Sequence, residues 1–413
     1  MTKRYVLSGT GTHGDLLPLV SVAAELMQRG HECHVLANAS AAEVARQSGV
    51  PFVAIADHHV NNLGTLQENF DGYVWPSYVK TFDFLDDLLR QSTDVELVNL
   101  AATSALTMAA EVYRLPLHRI VLAPYRVRSL EAPHWPWSER AKGAIGLAFR
   151  RFVLPGLYDK RYTHPYIIEN INQQRAEANL PPIQSLLQLE GLLRSTVGLF
   201  PDWYCPKASD WPEPFHLAGF PLPAPATHLP DDLVCWLRGR PAPVVFTPGT
   251  GVVDVDAFFD VACEAARSVG RPALLLSPNL SQDRFVGEES VFHLPYVDLG
   301  AVLPHASLLV HHGGIGTTAR AFQAGIPQVI SPQAYDQPDN GHRVTCLGVG
   351  SMIARTDLLP ATLTSSLSML LSSESVAARC REISQLIATT DAVSSAADAL
   401  LRESTSARTI RSA

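Results

Sequence analysis

Apolar strands alternate with amphipathic helices along the first 125 residues of the chain. Residues 4–9 (Arg-Tyr-Val-Leu-Ser-Gly) form an apolar run that ends in glycine, and apolar residues then recur at helical spacing from Leu16 to Arg29. The same patterns predict a helix at 41–48 and strands at 31–37, 50–55, 94–100 and 117–123. Because strands that alternate with helices form parallel sheets, this half of the chain predicts a doubly wound α/β domain.

The alternation stops near residue 125 and restarts near residue 240. Aromatic residues, prolines and two long predicted helices, 138–152 and 159–179, fill the interval, a composition typical of a lid or ligand pocket over a sheet. Further strands are predicted near 243–247, 272–276, 291–294, 307–311 and 327–331, and the last helices near 360–371, 375–388 and 391–403. Two successive α/β halves predict two domains whose ligands bind beyond the carboxyl ends of the strands, in one shared cleft.

The domain boundaries follow from the length and from one proline-rich segment. A chain of 413 residues exceeds one ordinary domain, and the uncharged run 219–230 (Gly-Phe-Pro-Leu-Pro-Ala-Pro-Ala-Thr-His-Leu-Pro) is typical of a linker. We therefore assign four segments: an N-terminal domain at 1–220, a linker at 221–232, a C-terminal domain at 233–390, and a C-terminal helix and tail at 391–413.

Composition narrows the class of protein. A hydrophobic content of 46% and a charged content of 17% are typical of a globular chain, and a net charge of −8 argues against a nucleic-acid partner. The six cysteines are scattered, which favours reduced thiols. The sequence shows neither a signal-peptide core nor an apolar run long enough to span a bilayer. We expect a soluble cytoplasmic protein without a transmembrane segment, for which a peripheral membrane contact stays open.

The densest candidate motif begins at residue 310, where a buried strand enters the turn Val-His-His-Gly-Gly-Ile-Gly-Thr-Thr and a helix begins at 315–318. The unpaired N–H groups and the positive dipole at a helix start form an anion site. Gly313, Gly314 and Gly316 allow the backbone to approach a phosphate closely, and Thr317 adds a hydroxyl donor. A plain strand-to-helix turn with a core histidine is the alternative. The run 336–340 (Asp-Gln-Pro-Asp-Asn) supplies a carboxylate and two amides, which suit sugar hydroxyls.

This stretch resembles the donor-binding signature of family 1 glycosyltransferases, the UDP-glycosyltransferase-like group of GT-B enzymes. There, a histidine precedes the glycine of Gly-Val-Pro by thirteen residues and an acidic residue with glutamine by twenty-four. Counting back from Gly325-Ile-Pro and from Asp336-Gln337, both spacings lead to His312. The resemblance therefore implies that His312 binds the diphosphate, with His311 as the second choice.

The same resemblance implies the other donor contacts by position. The phosphates would lie against the helix start and the turn 246–251. For the turn 246–251, the alternative is a structural turn that binds no ligand. The sugar would lie against residues 336–337, and the base against the segment around Tyr296. The implied donor-binding residues are Tyr296, Val297, His311, His312, Gly314, Gly316, Thr317, Asp336, Gln337, Gly249 and Thr250.

Two departures from the family pattern bear on the nucleotide. Where UDP-sugar enzymes usually carry a glutamate that binds the ribose hydroxyls, this chain has Arg320, and Leu299 replaces a glutamine that reads the base. Losing an acceptor for two hydroxyls matters less when the nucleoside lacks a 2′-hydroxyl. We therefore expect a dTDP-sugar such as dTDP-rhamnose as donor, with UDP-glucose as the alternative.

The N-terminal turn Gly9-Thr-Gly-Thr-His-Gly14-Asp15 matches G-x-G-x-x-G, a motif of dinucleotide enzymes. Such enzymes need a carboxylate after the second strand, where this chain has Leu36-Ala-Asn38. In the family that the chain resembles, an aspartate or histidine at this turn is the general base, and Asp15 occupies that position. His13 is the rival base, and simple capping of a helix beginning at Leu16 is the structural alternative for Asp15.

Asp254-Val-Asp256 has the D-x-D form of metal-dependent glycosyltransferases, yet helix capping explains it, and we expect neither a metal nor another cofactor. The segment 199–222 resembles rhamnosyltransferases that build rhamnolipids. The resemblance as a whole implies an inverting, metal-independent hexosyltransferase. Its C-terminal domain would hold the nucleotide sugar, its N-terminal domain a small hydrophobic hydroxylated acceptor, and residues 391–413 would cross back to the N-terminal domain.

Three alternatives stay open. A UDP-glucose-dependent glucosyltransferase of a phenolic or polyketide acceptor belongs to the same class of enzyme. A nucleotide-dependent oxidoreductase would need the carboxylate that is missing after the second strand. A non-catalytic protein that binds sugar nucleotides would keep the turn after His312 and could dispense with Asp15.

Overall fold

The computed structural model describes residues 2–56, 75–100, 105–140, 142–224, 228–249, 252, 254–281, 284–285 and 287–405. The chain divides into two compact units: the first comprises Met1–Pro221 and Asp391–Ala413, and the second comprises Leu222–Thr390. None of the helices in the described part of the chain is both long and apolar enough to cross a membrane.

The first unit contains a seven-stranded parallel sheet in the order β3-β2-β1-β4-β5-β6-β7. Its elements up to residue 121 are β1 (Arg4–Gly9), α1 (His13–Gln28), β2 (Glu32–Asn38), α2 (Ala42–Gln47), β3 (Phe52–Ala56), α3 (Trp75–Leu89), β4 (Val95–Asn99), α4 (Ala105–Tyr113) and β5 (Leu117–Val121). They are followed by α5 (Trp137–Arg140), α6 (Gly143–Phe152), α7 (Leu154–Tyr162), α8 (Pro165–Glu177), α9 (Leu187–Glu190), β6 (Leu193–Gly198) and β7 (Phe215–Leu217). The predicted doubly wound sheet is present, and it gains the two last strands, which the sequence pattern did not predict.

The two long helices predicted between residues 138 and 179 are four shorter ones. Gly143 adopts a φ of 68°, which a continuous helix cannot accommodate, and a new helix begins there. Pro165 lacks an N–H group and stands at the first position of α8, so it opens a helix rather than continuing one.

Helix α17 (Ala392–Thr405), the last described element, packs on α1 within the first unit. Its small apolar face, which includes Ala396 and Leu400, is fully buried in the same core as the inner face of α1. Polar contacts hold its end: Lys3 Nζ donates to the carbonyl oxygen of Ser404 at 2.9 Å, and Tyr5 donates from its hydroxyl to Ser404 Oγ at 3.0 Å.

The second unit contains a six-stranded parallel sheet in the order β10-β9-β8-β11-β12-β13. Its elements are α10 (Asp231–Leu237), β8 (Val244–Thr247), α11 (Asp256–Ser268), β9 (Ala273–Leu276), β10 (Val291–Leu294), α12 (Leu299–Val302), β11 (Leu308–His311), α13 (Ile315–Ala324), β12 (Gln328–Ile330), α14 (Gln337–Cys346), β13 (Gly350–Met352), α15 (Pro360–Ser372) and α16 (Glu374–Ala388). The register aligns the last residue of β11, His311, with Thr247 of β8 and Ile330 of β12. The turns that follow these three strands therefore leave the sheet side by side.

Candidate functional site

His311 belongs to the core of the second unit. Its ring is fully buried, Nδ1 accepts a hydrogen bond from the Gly313 N–H at 3.1 Å, and Nε2 lies 2.9 Å from Gln328 Oε1. Burial lowers the pKa of His311 to about 3, so the ring is neutral at pH 7. Since Nδ1 accepts, the proton is on Nε2 and is donated to Gln328. His311, the second choice for the diphosphate contact, therefore has no ring nitrogen left for a ligand.

His312, one residue further on, lies between two turns. A Cβ atom added to Gly249 would stand 2.8 Å from His312 Cε1, and one added to Gly314 would stand 2.7 Å from Nε2. Burial lowers the pKa of His312 to about 4, which keeps the imidazole neutral at pH 7 with one N–H group to donate. Its Nδ1 is buried and has no hydrogen-bond partner among the described residues. A ligand that accepts or donates a hydrogen bond could satisfy a buried polar atom of this kind.

The turn after His312 leads directly into the ten residues of α13. Gly313 adopts a φ of 95°, and a Cβ there would stand 2.7 Å from Ile330 Cγ2, so the turn requires glycine at this position. Gly314 caps the helix, and the N–H groups of its first turn have no partners within the helix. Gly316 is exposed and Thr317 half-buried. The positive end of the helix dipole, the N–H groups that have no partner within the helix and the neutral His312 together form a surface suited to an anion.

Asn340 connects this turn to Asp336. The side chain of Asn340 is fully buried, and its Nδ2 donates to the Gly313 carbonyl oxygen at 2.9 Å and to Asp336 Oδ2 at 2.8 Å. The sequence offered Asn340 as one of two amides suited to sugar hydroxyls; in the structure its Nδ2 holds the turn and Asp336 in position. The other amide, Gln337, accepts from the N–H groups of Gln333 (2.8 Å) and Ala334 (3.1 Å) through Oε1.

The segment expected to hold the base is partly exposed. The side chain of Tyr296 is exposed, whereas Val297 is buried in the apolar core of the second unit. Arg320, on α13, is buried, and desolvation lowers the pKa of its guanidinium, an effect that the charges of Asp298 and Tyr296 oppose. Arg320 Nη1 donates to Gln323 Oε1 at 2.7 Å.

In the first unit, Asp15 lies within the first turn of α1 rather than before it, because the helix begins at His13, three residues earlier than predicted. Asp15 Oδ2 accepts from the Thr12 N–H at 2.8 Å and from Thr12 Oγ1 at 2.9 Å. Its other oxygen, Oδ1, receives no hydrogen bond from the part of the chain that the structure describes. The carboxylate is thus fixed through one oxygen while the other is available.

Asn38 has a role that the sequence pattern did not reveal. Its buried amide group accepts from the Gly11 N–H and donates to the Gly11 carbonyl oxygen, both at 3.2 Å. The residue that ends β2 therefore fixes the glycine-rich turn, at the place where a dinucleotide enzyme would carry a carboxylate. Its position after a strand that neighbours β1 is the signal that could have identified this role.

Three other candidate site features are His13, Thr250 and the D-x-D sequence. The side chain of His13 and the whole of Thr250 lie outside the described residues. Asp256, in the D-x-D sequence, is an ion-pair partner of Arg284, whose second partner is Asp260. Among the residues with described positions, no group of three or more histidine, cysteine or acidic side chains has the arrangement of a metal site.

Two family models match separate parts of the chain. Residues 5–118 match the glycosyltransferase family 28 N-terminal domain, and residues 288–397 match the C-terminal domain of erythromycin biosynthesis protein CIII-like proteins (EryCIII-like). Glycosyltransferase GtfC of Amycolatopsis orientalis is 29% identical over 367 residues, 84% of this chain and 85% of GtfC. The O-mycaminosyltylonolide 6-deoxyallosyltransferase of Streptomyces fradiae is 27% identical over 381 residues, again 84% and 85% of the two chains.

Solved structures establish the fold. The glycotransferase of kitacinnamycin superposes with a TM-score of 0.74 at 19% identity, covering 98% of this chain and 99% of that one. Spinosyn rhamnosyltransferase SpnG, complexed with thymidine diphosphate, gives a TM-score of 0.66 at 16% identity, covering 96% and 100%. The predicted GT-B fold is confirmed. The family models and relatives support glycosyltransferase activity of the natural-product type, whereas the resemblance to rhamnolipid-type enzymes stays a prediction.

Proposed function

We propose that this chain, which joins a glycosyltransferase family 28 N-terminal domain to an EryCIII-like C-terminal domain on a GT-B fold, transfers a hexose from a nucleotide diphosphate sugar to a hydroxyl group of a small lipophilic acceptor. The observation that carries this function is the buried Nδ1 of His312, which has no hydrogen-bond partner in the described part of the chain, beside the amide-rich start of α13. A diphosphate supplies the missing partner and the negative charge that the helix start favours.

The second unit would bind and activate the donor. Stabilisation of charge on the leaving diphosphate needs donors that are already oriented, and the N–H groups of the first turn of α13 are oriented by the helix. His312 would add one more neutral hydrogen-bond donor, and Thr317 would add a hydroxyl group. Asp336, held by Asn340 at 2.8 Å, and Gln337 would orient the sugar hydroxyls, which fixes the anomeric carbon for attack.

Asp15 would be the general base. Its Oδ2 is held by Thr12, and its Oδ1 would accept the proton of the acceptor hydroxyl as that oxygen attacks the anomeric carbon. Attack from the face opposite the diphosphate forms the new glycosidic bond as the bond to the leaving oxygen breaks, and the anomeric configuration inverts. Helix dipole and amides stabilise the leaving group, so the reaction would proceed without a metal.

The donor would be a dTDP-deoxyhexose. A guanidinium only donates hydrogen bonds, so Arg320 cannot accept from ribose hydroxyls as a glutamate does. Its electrostatic interaction with Tyr296 supports a position for this cation close to the base. Two relatives point the same way: one is named a 6-deoxyallosyltransferase, and SpnG was solved with thymidine diphosphate. UDP-glucose is the alternative donor.

Nucleotide binding tests this function most directly. We expect dTDP to raise the unfolding temperature of the protein more than UDP does, and His312→Ala to abolish the effect. His305→Ala is the matched control, because His305 is an exposed histidine of the same unit. Transfer from dTDP-rhamnose should persist in EDTA, and NMR of the product should show an inverted anomeric centre. No stabilisation by either nucleotide would contradict the function, and preference for UDP would contradict the choice of donor.

A further inference from the structure

Helix α6 of the first unit carries an exposed apolar surface. Ten large hydrophobic side chains are exposed among the described residues, and four of them fall within nine consecutive positions: Ile145 (86% exposed), Leu147 (61%), Phe152 (74%) and Val153 (48%). Single exposed apolar residues are ordinary, but a contiguous group of them marks a surface that binds something.

Helical spacing places most of this surface on one side of α6. Ile145, Ala148 and Phe152 recur at intervals of three and four residues, so they share a face, and all three are exposed. We call this side the α6 apolar face; Leu147, two residues after Ile145, and Val153, which follows the helix, are exposed beyond it.

Phe149 and Arg150 anchor α6 to the rest of the first unit. The ring of Phe149 lies 6.0 Å from that of Trp137, and Arg150 Nη1 donates to the Glu131 carbonyl oxygen at 3.2 Å. These contacts hold the helix, while the α6 apolar face is exposed to solvent.

Basic residues are concentrated in α6 and the chain on either side of it. The stretch 139–161 contains six basic residues and two acidic ones, a net charge of +4 in a chain whose net charge is −8. The six are Arg140, Lys142, Arg150, Arg151, Lys160 and Arg161. The guanidinium of Arg151 lies 5.4 Å from the centroid of the Phe152 ring, directly beside the apolar side chains. An exposed apolar helix face within a basic stretch is the pattern of a helix that lies in a membrane interface.

We infer that α6 and its basic flanks dock on the surface of an anionic lipid bilayer, with the α6 apolar face among the acyl chains. Charge complementarity favours this occupant over a second copy of the chain. Two copies packed through the same face would bring two positively charged stretches together, which costs free energy. An anionic bilayer instead attracts them, and the apolar side chains leave water at the same time.

Vesicle binding by the full chain tests the inference. We expect the protein to sediment with vesicles of phosphatidylcholine and phosphatidylglycerol, weakly with phosphatidylcholine alone, and less as salt is raised. Ile145→Ser with Phe152→Ser should lower the partition coefficient at least about tenfold, and Arg151→Gln about fivefold. The matched control is Leu359→Ser with Met369→Ser, which removes two exposed apolar residues of the second unit and should leave binding unchanged.

Thermal unfolding of each variant separates loss of binding from loss of fold, and Arg151→Gln tests the charge without removing apolar surface. Binding that depends on the α6 residues and on anionic lipid supports the inference. Failure of the wild-type protein to bind vesicles, or equal binding by the double α6 variant, would overturn it. A dimer that becomes a monomer in the double variant would also overturn it, because a second copy would then be the occupant.

Discussion

Replacing Asp15 with asparagine separates catalysis from helix capping. Asparagine keeps an oxygen that can accept from the Thr12 N–H and Thr12 Oγ1, which lie 2.8 and 2.9 Å from Asp15 Oδ2. The free energy of unfolding should therefore change by less than about 1 kcal/mol. Asparagine cannot take a proton, so kcat should fall by about 10² to 10⁴, which raises the activation barrier by about 3 to 5 kcal/mol.

Three variants, assayed side by side, distinguish the two roles. Asp15→Ala loses the same base and both hydrogen bonds, so it should match asparagine in kcat and cost about 1 kcal/mol more in stability. Thr12→Val removes only the hydroxyl contact and should keep most of the activity. Product formation is measured by chromatography at saturating donor, donor affinity by calorimetry, and stability by urea unfolding.

The expected result is a loss of turnover with unchanged donor affinity in both Asp15 variants. If Asp15→Asn turned over within about threefold of the wild-type rate, the carboxylate would not be the base. If turnover instead fell in proportion to stability across all three variants, including Thr12→Val, helix capping would explain the effect.

Three further predictions concern the second unit. Gly249→Ala should weaken dTDP binding and lower the unfolding temperature, because a φ of 97° and the ring of His312 both oppose a Cβ atom there. Gly316→Ala is the control: a Cβ atom at that position meets open space, so the stability of the fold should be unchanged. Arg320→Glu should move the preference from dTDP towards UDP, since it restores an acceptor for ribose hydroxyls. Competition binding measures the ratio of the two nucleotide affinities. An unchanged ratio would show that Arg320 does not select the nucleotide. Folding lowers the pKa of His312 to about 4. As the pH decreases, this histidine is therefore protonated in the unfolded chain at a higher pH than in the folded protein. The free energy of unfolding should thus fall as pH decreases from about 6.5 to 4. Urea unfolding should show a smaller fall in His312→Gln.

Much of the fold could be predicted because burial imposes periods on the sequence. The apolar residues at helical spacing after Leu16 lie on the inner face of α1, among them Leu19 and Val20, which are fully buried. The ends of individual helices were harder to predict. In the stretch 138–179, the backbone conformation of Gly143 and the ring of Pro165 account for two of the three breaks between its helices.

The sequence proposed the residues of the candidate site but could not predict their hydrogen bonds. Spacing alone favoured His312 over His311, and the structure supplies a physical reason: Gln328, on the neighbouring strand, occupies one nitrogen of His311. Asn340 was assigned to the sugar because its amide group suits hydroxyls. The tertiary structure places that amide group against Gly313, 27 residues away, and Asp336.

The sequence by itself determined the alternation of strands and helices, the glycine-rich turn after β11 and the carboxylate at the start of α1, because these depend on local periodicity and on conformations that few residues adopt. Only the tertiary structure decided which polar atoms stay available. Whether a ring nitrogen or an amide has a partner depends on groups that folding brings from distant strands and turns, and no local pattern specifies those partners. His311 and His312 are adjacent and identical in type, yet both ring nitrogens of His311 are bonded within the core, whereas Nδ1 of His312 has no partner among the residues whose positions are described.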